Sequence, residues 1–328
     1  MTQADERGTD RREVSYVEID ASRAGQRVDN FLMGQLRGVP RTHIYRILRR
    51  GEVRVNKGRV KPDYKLRAGD VVRVPPLRVA SVSAQSTSPP PSRLTERLAG
   101  SVIYEDDRLL VINKPQGIPV HAGTGVDYGV IEVFRYLRPD CPDVSLAHRL
   151  DRATSGVLVL AKTPVAMREL HAAFKSGTCE KHYLALTRGR WASDKTVVQA
   201  SLDTEHRERG ERTVRVSADG RTASSTFRVV QVFSFSSLVK IQISTGRTHQ
   251  IRVHAAHQGH PVAGDDRYGD PEFNRQMKAL GLKRLFLHAV SLSLPALGQH
   301  PPLDFDAPLA DDLKGVLDHL PIKRGTSK

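Results

Sequence analysis

The sequence predicts an α+β protein with a small, basic N-terminal domain and a larger domain that is rich in β-strands. Two observations support this fold class. Short runs rich in Val, Ile and Leu outnumber the segments with helical periodicity, and the two kinds do not alternate regularly. Regular alternation would indicate a parallel sheet covered by helices, so we expect a mixed and mostly antiparallel sheet. A segment rich in Ser, Pro, Ala and Thr over residues 80–92 separates the two domains.

The chain carries a large positive charge. Of its 328 residues, 51 are Lys or Arg and 36 are Asp or Glu, which leaves a formal net charge of +15. This balance favours a polyanionic partner, and RNA is the natural candidate. The cysteines are Cys141 and Cys179, too few for a disulfide scaffold or a thiolate metal site, so we expect a reducing compartment.

Targeting segments are not expected. Residues 1–12 are polar and charged, unlike a signal peptide or a membrane anchor. No run approaches the roughly 20 apolar residues that a membrane span needs. The sequence therefore predicts a cytoplasmic protein that has no membrane partner.

The predicted N-terminal domain, residues 14–78, contains two helices followed by a β-hairpin and a further strand. The apolar face of the first helix is made of Val28, Phe31, Leu32 and Leu36. The second helix is predicted to begin at Pro40 and to end at Gly51, because Pro suits a first helical turn and Gly suits a helix end. Residues 51–60 alternate like a strand into an Asn-Lys-Gly turn, and residues 68–74 supply another strand.

This N-terminal domain holds most of the excess positive charge. Residues 14–78 contain 15 Lys or Arg and 6 Asp or Glu, a net charge of +9. The side chains predicted to contact RNA are Arg46, Arg49, Arg50, Arg54 and Lys57. The first three lie opposite the apolar face of the second helix, an arrangement that suits a phosphate backbone. A merely solvated basic face is the alternative interpretation.

The larger domain is predicted over residues 100–322, after a flexible linker over residues 79–99 that cannot bury enough apolar surface to order itself. Its predicted strands are residues 102–104, 109–112, 157–160, 183–186, 214–216, 226–232 and 238–243. A helix is predicted from a cap at Thr163 to a stop near Gly177. The turn at residues 218–221 is predicted to join two strands as a hairpin.

Asp151 stands out because it lies between two arginines just before the apolar run at residues 157–160. A carboxylate so placed is either an ion-pair anchor or a catalytic group, and its immediate neighbours favour the anchor. A second polar cluster at residues 245–254 reverses that preference, because the two clusters occur together in one known family.

Four segments resemble the motifs of the RluA family of pseudouridine synthases, in the family's order. They are Asn-Lys-Pro-Gln-Gly-Ile-Pro-Val-His at residues 113–121, His-Arg-Leu-Asp at 148–151, Lys-His-Tyr-Leu-Ala at 181–185 and Gly-Arg-Thr-His-Gln-Ile-Arg at 246–252. One departure is Ala153, where many members carry a second Asp. Residues 24–75 resemble the S4 domain, a small RNA-binding fold. The resemblance implies a pseudouridine synthase fold, a curved mixed sheet with the active-site cleft along it.

The resemblance also implies roles for four residues, and the position of a fifth, Arg247, predicts its role. Asp151 is the expected catalytic carboxylate, acting either as a base on the ribose or as a nucleophile. Arg252 is its expected cationic partner, and Tyr183 is expected to pack on the uracil and assist proton transfer. Because uracil in folded RNA must be flipped out, Arg149 is expected to take its vacated place. Arg247 is expected to hold a phosphate near the start of a helix.

The implied reaction isomerises uridine to pseudouridine without redox chemistry or phosphate transfer, so we expect no cofactor and no metal. The chain has no Gly-rich dinucleotide or nucleotide loop. The S4 domain points to ribosomal RNA, and residues 45–57 and 265–270 resemble a member that modifies several uridines of the large-subunit 23S RNA. Another S4-containing large-subunit type is the alternative. We expect a monomer.

Two other functions compete with this one. A non-enzymatic S4-type ribosome-assembly factor would have lost part of the set Asp151, Tyr183 and Arg252, which is complete here. A metal-dependent RNA hydrolase would need paired carboxylates, and the acidic pair at residues 265–266 lies in a stretch that we interpret as structural. Four His residues between 249 and 260 raise zinc as a possibility, but their spacing spreads the later rings around a helix.

Overall fold

The structure is a computed structural model, and it describes residues 14–36, 39, 41–76, 88–123, 126–141, 143–206 and 212–321. Contacts divide the chain into two compact units, Met1–Pro89 and Pro90–Lys328. Pro40, the predicted helix start, and residues 79–87 of the predicted linker lie outside the described residues. Within the described ranges, no helix is both long and apolar enough to cross a lipid bilayer.

The N-terminal unit consists of two helices and a small antiparallel sheet. Its elements are β1 (Ser15–Glu18), a 3₁₀ turn (Ala21–Arg23), α1 (Val28–Gln35), α2 (Arg41–Arg50), β2 (Arg54–Val55), β3 (Gly58–Arg59) and β4 (Val71–Val74). The strand order is β1-β4-β2-β3. Asn56 and Lys57, which join β2 to β3, both have positive φ, at 49° and 68°. This geometry is typical of the tight turn of a two-residue hairpin.

The burial pattern of α1 and α2 confirms the two predicted faces. The apolar side chains that pack into one cluster are Val28, Phe31, Leu32, Leu36, Ile44, Ile47 and Leu48. The opposite side of α2 is cationic and exposed, with Arg46, Arg49 and Arg50 in solvent. Helix α2 ends at Arg50, and Gly51 has the positive φ, 70°, that suits a residue just past a helix end.

The C-terminal unit is built on one large mixed sheet. The strands of this unit are β5 (Val102–Glu105), β6 (Leu109–Lys114), β7 (Ser145–Leu146), β8 (Ser155–Ala161), β9 (Glu180–Arg188), β10 (Lys195–Gln199), β11 (Leu202–His206), β12 (Arg212–Val216), β13 (Ser224–Val232), β14 (Ser236–Ile243), β15 (Leu287–Leu294) and β16 (Leu303–Asp306). Strands β11 and β12 pair with each other in a separate small sheet. Its helices are α3 (Ser92–Ala99), α4 (Val130–Leu137), α5 (Pro164–Ser176), α6 (Gln250–His257), α7 (Pro271–Ala279) and α8 (Asp311–Asp318).

The strand order of the large sheet is β10-β13-β14-β9-β15-β8-β6-β5, with β7 against β8 and β16 against β15. Strands β8 and β15 pair in parallel, and the remaining neighbours among the described strands pair antiparallel. The predicted mixed, mostly antiparallel sheet is therefore confirmed.

Strand β8 is an inner strand of this sheet, and all of its residues are buried. Because alternate side chains of a strand point to opposite faces, Leu158 and Leu160 pack into the cluster that includes α4, while Val157 and Val159 pack against α5. Helix α5 begins as predicted, with the Thr163 hydroxyl accepting a hydrogen bond from the Ala166 amide at 3.2 Å.

Two sequence predictions are wrong. Helix α3, Ser92–Ala99, occupies the end of the predicted flexible linker, because Leu94 and Leu98 are spaced to cover one helix face and pack into the cluster that includes α4. The turn at residues 218–221 does not join a hairpin of the strands on either side of it. Strand β12 pairs with β11, and β13 pairs with β10 and β14, so local turn chemistry did not determine the pairing.

Candidate active site

Asp151 lies in the loop between β7 and β8, where backbone hydrogen bonds hold it. The Thr154 amide donates to the Asp151 carbonyl oxygen at 3.0 Å, and the Gly117 amide donates to the Arg152 carbonyl oxygen at 2.8 Å. The Arg152 guanidinium returns a bond to the Gly117 carbonyl oxygen at 2.9 Å. The Asp151 loop is thus fastened to the loop that follows β6, which carries the first of the four motifs.

The close approach of a neighbouring strand explains why the apolar run after Asp151 begins at a glycine, Gly156. It has a φ of 113°, and a Cβ at this position would lie 2.1 Å from the Ala289 carbonyl oxygen on the neighbouring strand β15. A side chain cannot fit there, so the close approach of β8 and β15 requires Gly. This contact fixes where the Asp151 loop leaves the sheet.

Asp151 borders a cleft with a largely apolar floor. The cleft is lined by Tyr183, Ile243 and Leu287 of the sheet, by Leu150 of the Asp151 loop, and by residues 246–252. Tyr183, in the middle of β9, is 7% exposed. Burial, together with the negative charge of Asp151, raises the pKa of Tyr183. A neutral phenol and a partly exposed carboxylate therefore line the same cleft.

The structure corrects the predicted partner of Arg252. Its guanidinium donates to both carboxylate oxygens of Asp265, at 2.7 Å and 2.6 Å, instead of to Asp151. Burial opposes the charged form of each group, but the pairing outweighs it, raising the pKa of Arg252 and lowering the pKa of Asp265. The amides of Arg267 and Tyr268 also donate to Asp265, at 2.9 Å and 3.0 Å. A single carboxylate thereby anchors α6 to the loop before α7.

His249 is the nearest ion-pair candidate for Asp151, with Nε2 at 4.0 Å from Oδ2 of that carboxylate. Its other ring nitrogen, Nδ1, lies 2.8 Å from the Tyr268 hydroxyl oxygen. Burial lowers the pKa of His249, against the attraction of Asp151. The residue has a φ of 53°, a left-handed conformation that is uncommon outside Gly, so its backbone is held by the surrounding fold.

Lys114, at the end of β6, has a fully buried side chain below the same loops. Its ammonium group donates to the carbonyl oxygens of Pro115 and Ile118, at 3.0 Å and 2.9 Å. Burial lowers the pKa of Lys114 to about 7, while the charge of Asp151 acts in the opposite direction. The lysine therefore stabilises the turn of the first motif from inside.

Comparisons with known proteins agree on one family. A family model described as RNA pseudouridylate synthase matches residues 108–257, and an S4 domain model matches residues 26–72. Ribosomal large subunit pseudouridine synthase C of Escherichia coli strain K12 is 50% identical over 309 residues, 94% of this chain and 97% of that protein. The Haemophilus influenzae protein of the same name is 48% identical over 307 residues, 94% of this chain and 95% of that protein. This chain belongs to the RNA pseudouridylate synthase family.

A solved structure supports the same assignment. Human RNA pseudouridylate synthase domain containing 4 aligns with a TM-score of 0.58 and 28% identity, covering 69% of this chain and 95% of that chain. The predicted pseudouridine synthase fold and the predicted S4 domain are therefore confirmed, and so is the interpretation of this chain as an RNA pseudouridine synthase, an isomerase.

The structure brings several of the predicted site residues of this pseudouridine synthase together. Asp151, Tyr183 and Arg252 all line the same cleft, with Arg149 and Arg247 at its edge. Both of these edge arginines are exposed, as a contact with RNA would require. Arg247 lies three residues before the start of α6 at Gln250. The five predicted RNA contacts of the S4 domain lie in the other unit, where all but the half-buried Arg54 are exposed.

The clustered histidines of the synthase have separate contacts. His254 is fully buried, with its ring nitrogens 3.0 Å from the Ser225 hydroxyl and 3.0 Å from the Ala200 carbonyl oxygen. His260 stacks on Trp191, with ring centroids 4.4 Å apart. Among the described residues, no group of three or more His, Cys, Asp or Glu side chains is arranged to hold a metal ion.

Sequence reasoning missed three residues around the cleft. Lys114 lies within the first motif, but the residues next to it in the sequence do not indicate that its side chain is buried. His249 was considered only as one of four clustered histidines, without its approach to Asp151. Asp265 was interpreted as structural, and an acidic residue among Gly, Arg and Tyr was the signal that could have identified it as the partner of Arg252.

Proposed function

We propose that this synthase converts uridines of large-subunit ribosomal RNA, the 23S RNA, to pseudouridine. The support is the substrate in the names of relatives that align over nearly the whole chain, together with an S4 domain of the kind that binds RNA. The observation that carries the chemistry is Asp151, held rigidly beside a cleft whose floor is apolar and includes Tyr183. A flat, uncharged base can pack on such a floor, and the Asp151 carboxylate lies at the border of the cleft.

In the proposed reaction, the N1–C1′ bond of uridine breaks, the uracil turns within the cleft, and a C5–C1′ bond forms. The proton on C5 is lost and N1 gains one, so atoms and electrons balance without a co-reactant. Asp151 is the group we assign to this chemistry, as the base that removes a ribose proton or as the nucleophile that captures the sugar or the base. Both routes are compatible with its position.

Tyr183 is proposed to hold the uracil and to remain protonated. Its ring is buried among apolar residues, which suits packing against a base. Because burial and Asp151 raise its pKa, the hydroxyl stays a hydrogen-bond donor at neutral pH. It can relay the proton that leaves C5, as the resemblance to the family suggests.

Arg252 is proposed to act on Asp151 through its charge, while Asp265 holds its geometry. Its guanidinium lines the same cleft as Asp151, and the negative charge of that carboxylate favours the charged form of Arg252. A bidentate pair with Asp265 fixes the guanidinium, so its positive charge cannot move away when substrate binds.

The RNA is proposed to contact both units. Arg149 takes the place of the extruded base, which offsets part of the few kcal/mol that unstacking costs. Arg247 contacts a neighbouring phosphate, and the S4 domain binds the RNA backbone through Arg46, Arg49, Arg50, Arg54 and Lys57. We propose that the protein acts in the cytoplasm. We also propose that it acts as a monomer, because the residues assigned to the chemistry come from one unit of one chain.

The substrate is tested by mapping pseudouridines at single-nucleotide resolution in ribosomal and transfer RNA, from cells with and without this gene. We expect the loss of more than one site in large-subunit RNA, near the peptidyl-transferase region. A loss confined to transfer RNA would contradict the proposal. A loss confined to a single stem-loop of large-subunit RNA would favour the other S4-containing large-subunit type.

A further inference from the structure

A wide groove adjoins the cleft at Asp151. It has a volume of about 720 Å³ and runs from Asp151 towards α7 and the segment before β15. Asp151, His249 and Arg252 line both the cleft and the groove. The groove therefore adjoins the cleft at these three residues, so a strand that enters the cleft has room to continue into the groove.

The groove is strongly cationic. Besides Arg252, the positive side chains that line it are Arg152, Arg267, Arg275, Lys278, Lys283 and Arg284, against the acidic Asp151 and Asp266. Salt bridges neutralise part of this charge. Arg284 pairs with Asp312, and Arg275 pairs with Glu272.

Lys278 and Lys283 differ from those arginines. Both are exposed, and neither forms an ion pair with any residue that the structure describes. Their ammonium groups reach the groove on flexible stems, as point charges suited to phosphate oxygens. Arg152, which is also exposed, donates to a backbone carbonyl oxygen beside Asp151, so the uncompensated charge at the far end of the groove lies on α7 and on the loop that follows it.

The lining also indicates which part of a nucleic acid would lie there. Apart from His249 beside Asp151, the described residues of the groove include no aromatic side chain, so away from the cleft it offers no aromatic platform on which bases could stack. Cations without such a platform contact the sugar-phosphate backbone and carry no sequence information directly.

We propose that this groove binds the backbone phosphates of the RNA strand next to the extruded uridine. A flipped nucleotide stays covalently joined to its neighbours, so the strand must leave the cleft close to Asp151, where the groove begins. Lys278 and Lys283 are the principal phosphate contacts in this assignment. It rests on the proposed function, and it adds a path for the substrate within the catalytic unit.

The test uses the full-length protein and a large-subunit RNA fragment containing a target uridine. The variant is Lys278→Gln/Lys283→Gln, and its matched control is Lys175→Gln/Lys195→Gln, which changes two exposed lysines of the same unit that line neither cavity. The Kd is measured over a series of salt concentrations, and the single-turnover rate is measured over a series of protein concentrations.

The groove variant should bind RNA roughly tenfold more weakly at moderate salt, with a log–log salt slope smaller by ~1.5, since each lost phosphate contact lowers it by somewhat less than one unit. The Kd should change by a larger factor than the rate at saturating protein. The control should match the wild type in both.

Equal slopes for the groove variant, the control and the wild type would overturn the groove assignment. Weakening that differs strongly between RNA sequences would also overturn it, because phosphate contacts act uniformly. Wild-type protein that fails to modify any large-subunit fragment would instead contradict the proposed function, so the two failures are distinguishable.

Discussion

Replacing Asp265 by Asn should destabilise the catalytic unit strongly, because it leaves a buried guanidinium without its carboxylate. The side chains of Arg252 and Asp265 are 11% and 0% exposed, and two short hydrogen bonds join them. Removing one partner of such a buried pair costs about 3–5 kcal/mol. Asn keeps one oxygen for the amides of Arg267 and Tyr268, so most of this loss comes from the unpaired cation.

The single tryptophan of the chain makes the assay specific to the catalytic unit. Trp191 is buried, stacks on Phe227 with ring centroids 4.8 Å apart, and donates to the Thr187 hydroxyl at 2.9 Å. Its fluorescence during urea unfolding therefore reports this unit without a contribution from the S4 domain. The measured quantity is the free energy of unfolding of each variant relative to the wild type.

Two further variants separate the charge effect from a general loss of packing. Asp311→Asn changes an exposed carboxylate whose partner is Lys314, so it should cost under about 1 kcal/mol. Arg252→Met/Asp265→Asn removes the buried cation as well, so it should be less destabilised than Asp265→Asn. If Asp265→Asn cost no more than Asp311→Asn, or if the double variant were worse than the single one, the reasoning would be refuted.

Three other predictions follow from the geometry. The His148 ring accepts a hydrogen bond from the Val159 amide and burial lowers its pKa, so the unfolded chain binds that proton more readily. Stability should therefore fall below about pH 6.5, by up to about 1.4 kcal/mol per unit from this group, and His148→Gln should reduce that slope in urea titrations. Gly156→Ala should prevent folding of the catalytic unit, because its Cβ would lie 2.1 Å from the Ala289 carbonyl oxygen; cooperative unfolding of a soluble variant would contradict this. The variant Arg46→Gln/Arg49→Gln/Arg50→Gln removes three positive charges of the S4 domain, so it should lower the log–log salt slope of RNA binding by ~2. An unchanged slope would exclude these arginines as phosphate contacts.

Local patterns were sufficient to predict much of the fold. The cap at Thr163 and the stop near Gly177 define α5, and the apolar spacing of residues 28–48 predicts the faces of α1 and α2, because these features depend on near neighbours. Strand pairing depends on distant residues, so the turn at 218–221 gave a wrong hairpin. Helix α3 was missed because the polar composition around it concealed two leucines one helical turn apart.

In the candidate site, too, features set by near neighbours were predictable and contacts between distant residues were not. The motifs identified Asp151, Tyr183 and Arg252, and the structure places them around one cleft. The partner of Arg252 could not be predicted, because Asp265 lies on a separate loop whose position depends on the whole unit. The pKa of Lys114 likewise depends on its burial under two loops, which sequence spacing does not reveal.

The central claim is that the Asp151 carboxylate carries the chemistry. Asp151→Asn keeps the shape of the side chain but removes its basicity and nucleophilicity. We predict that this variant binds a large-subunit RNA fragment about as tightly as the wild type and forms no detectable pseudouridine in single-turnover reactions. A single-turnover rate within about tenfold of the wild type, a change of only about 1.4 kcal/mol in the barrier, would remove Asp151 from the mechanism.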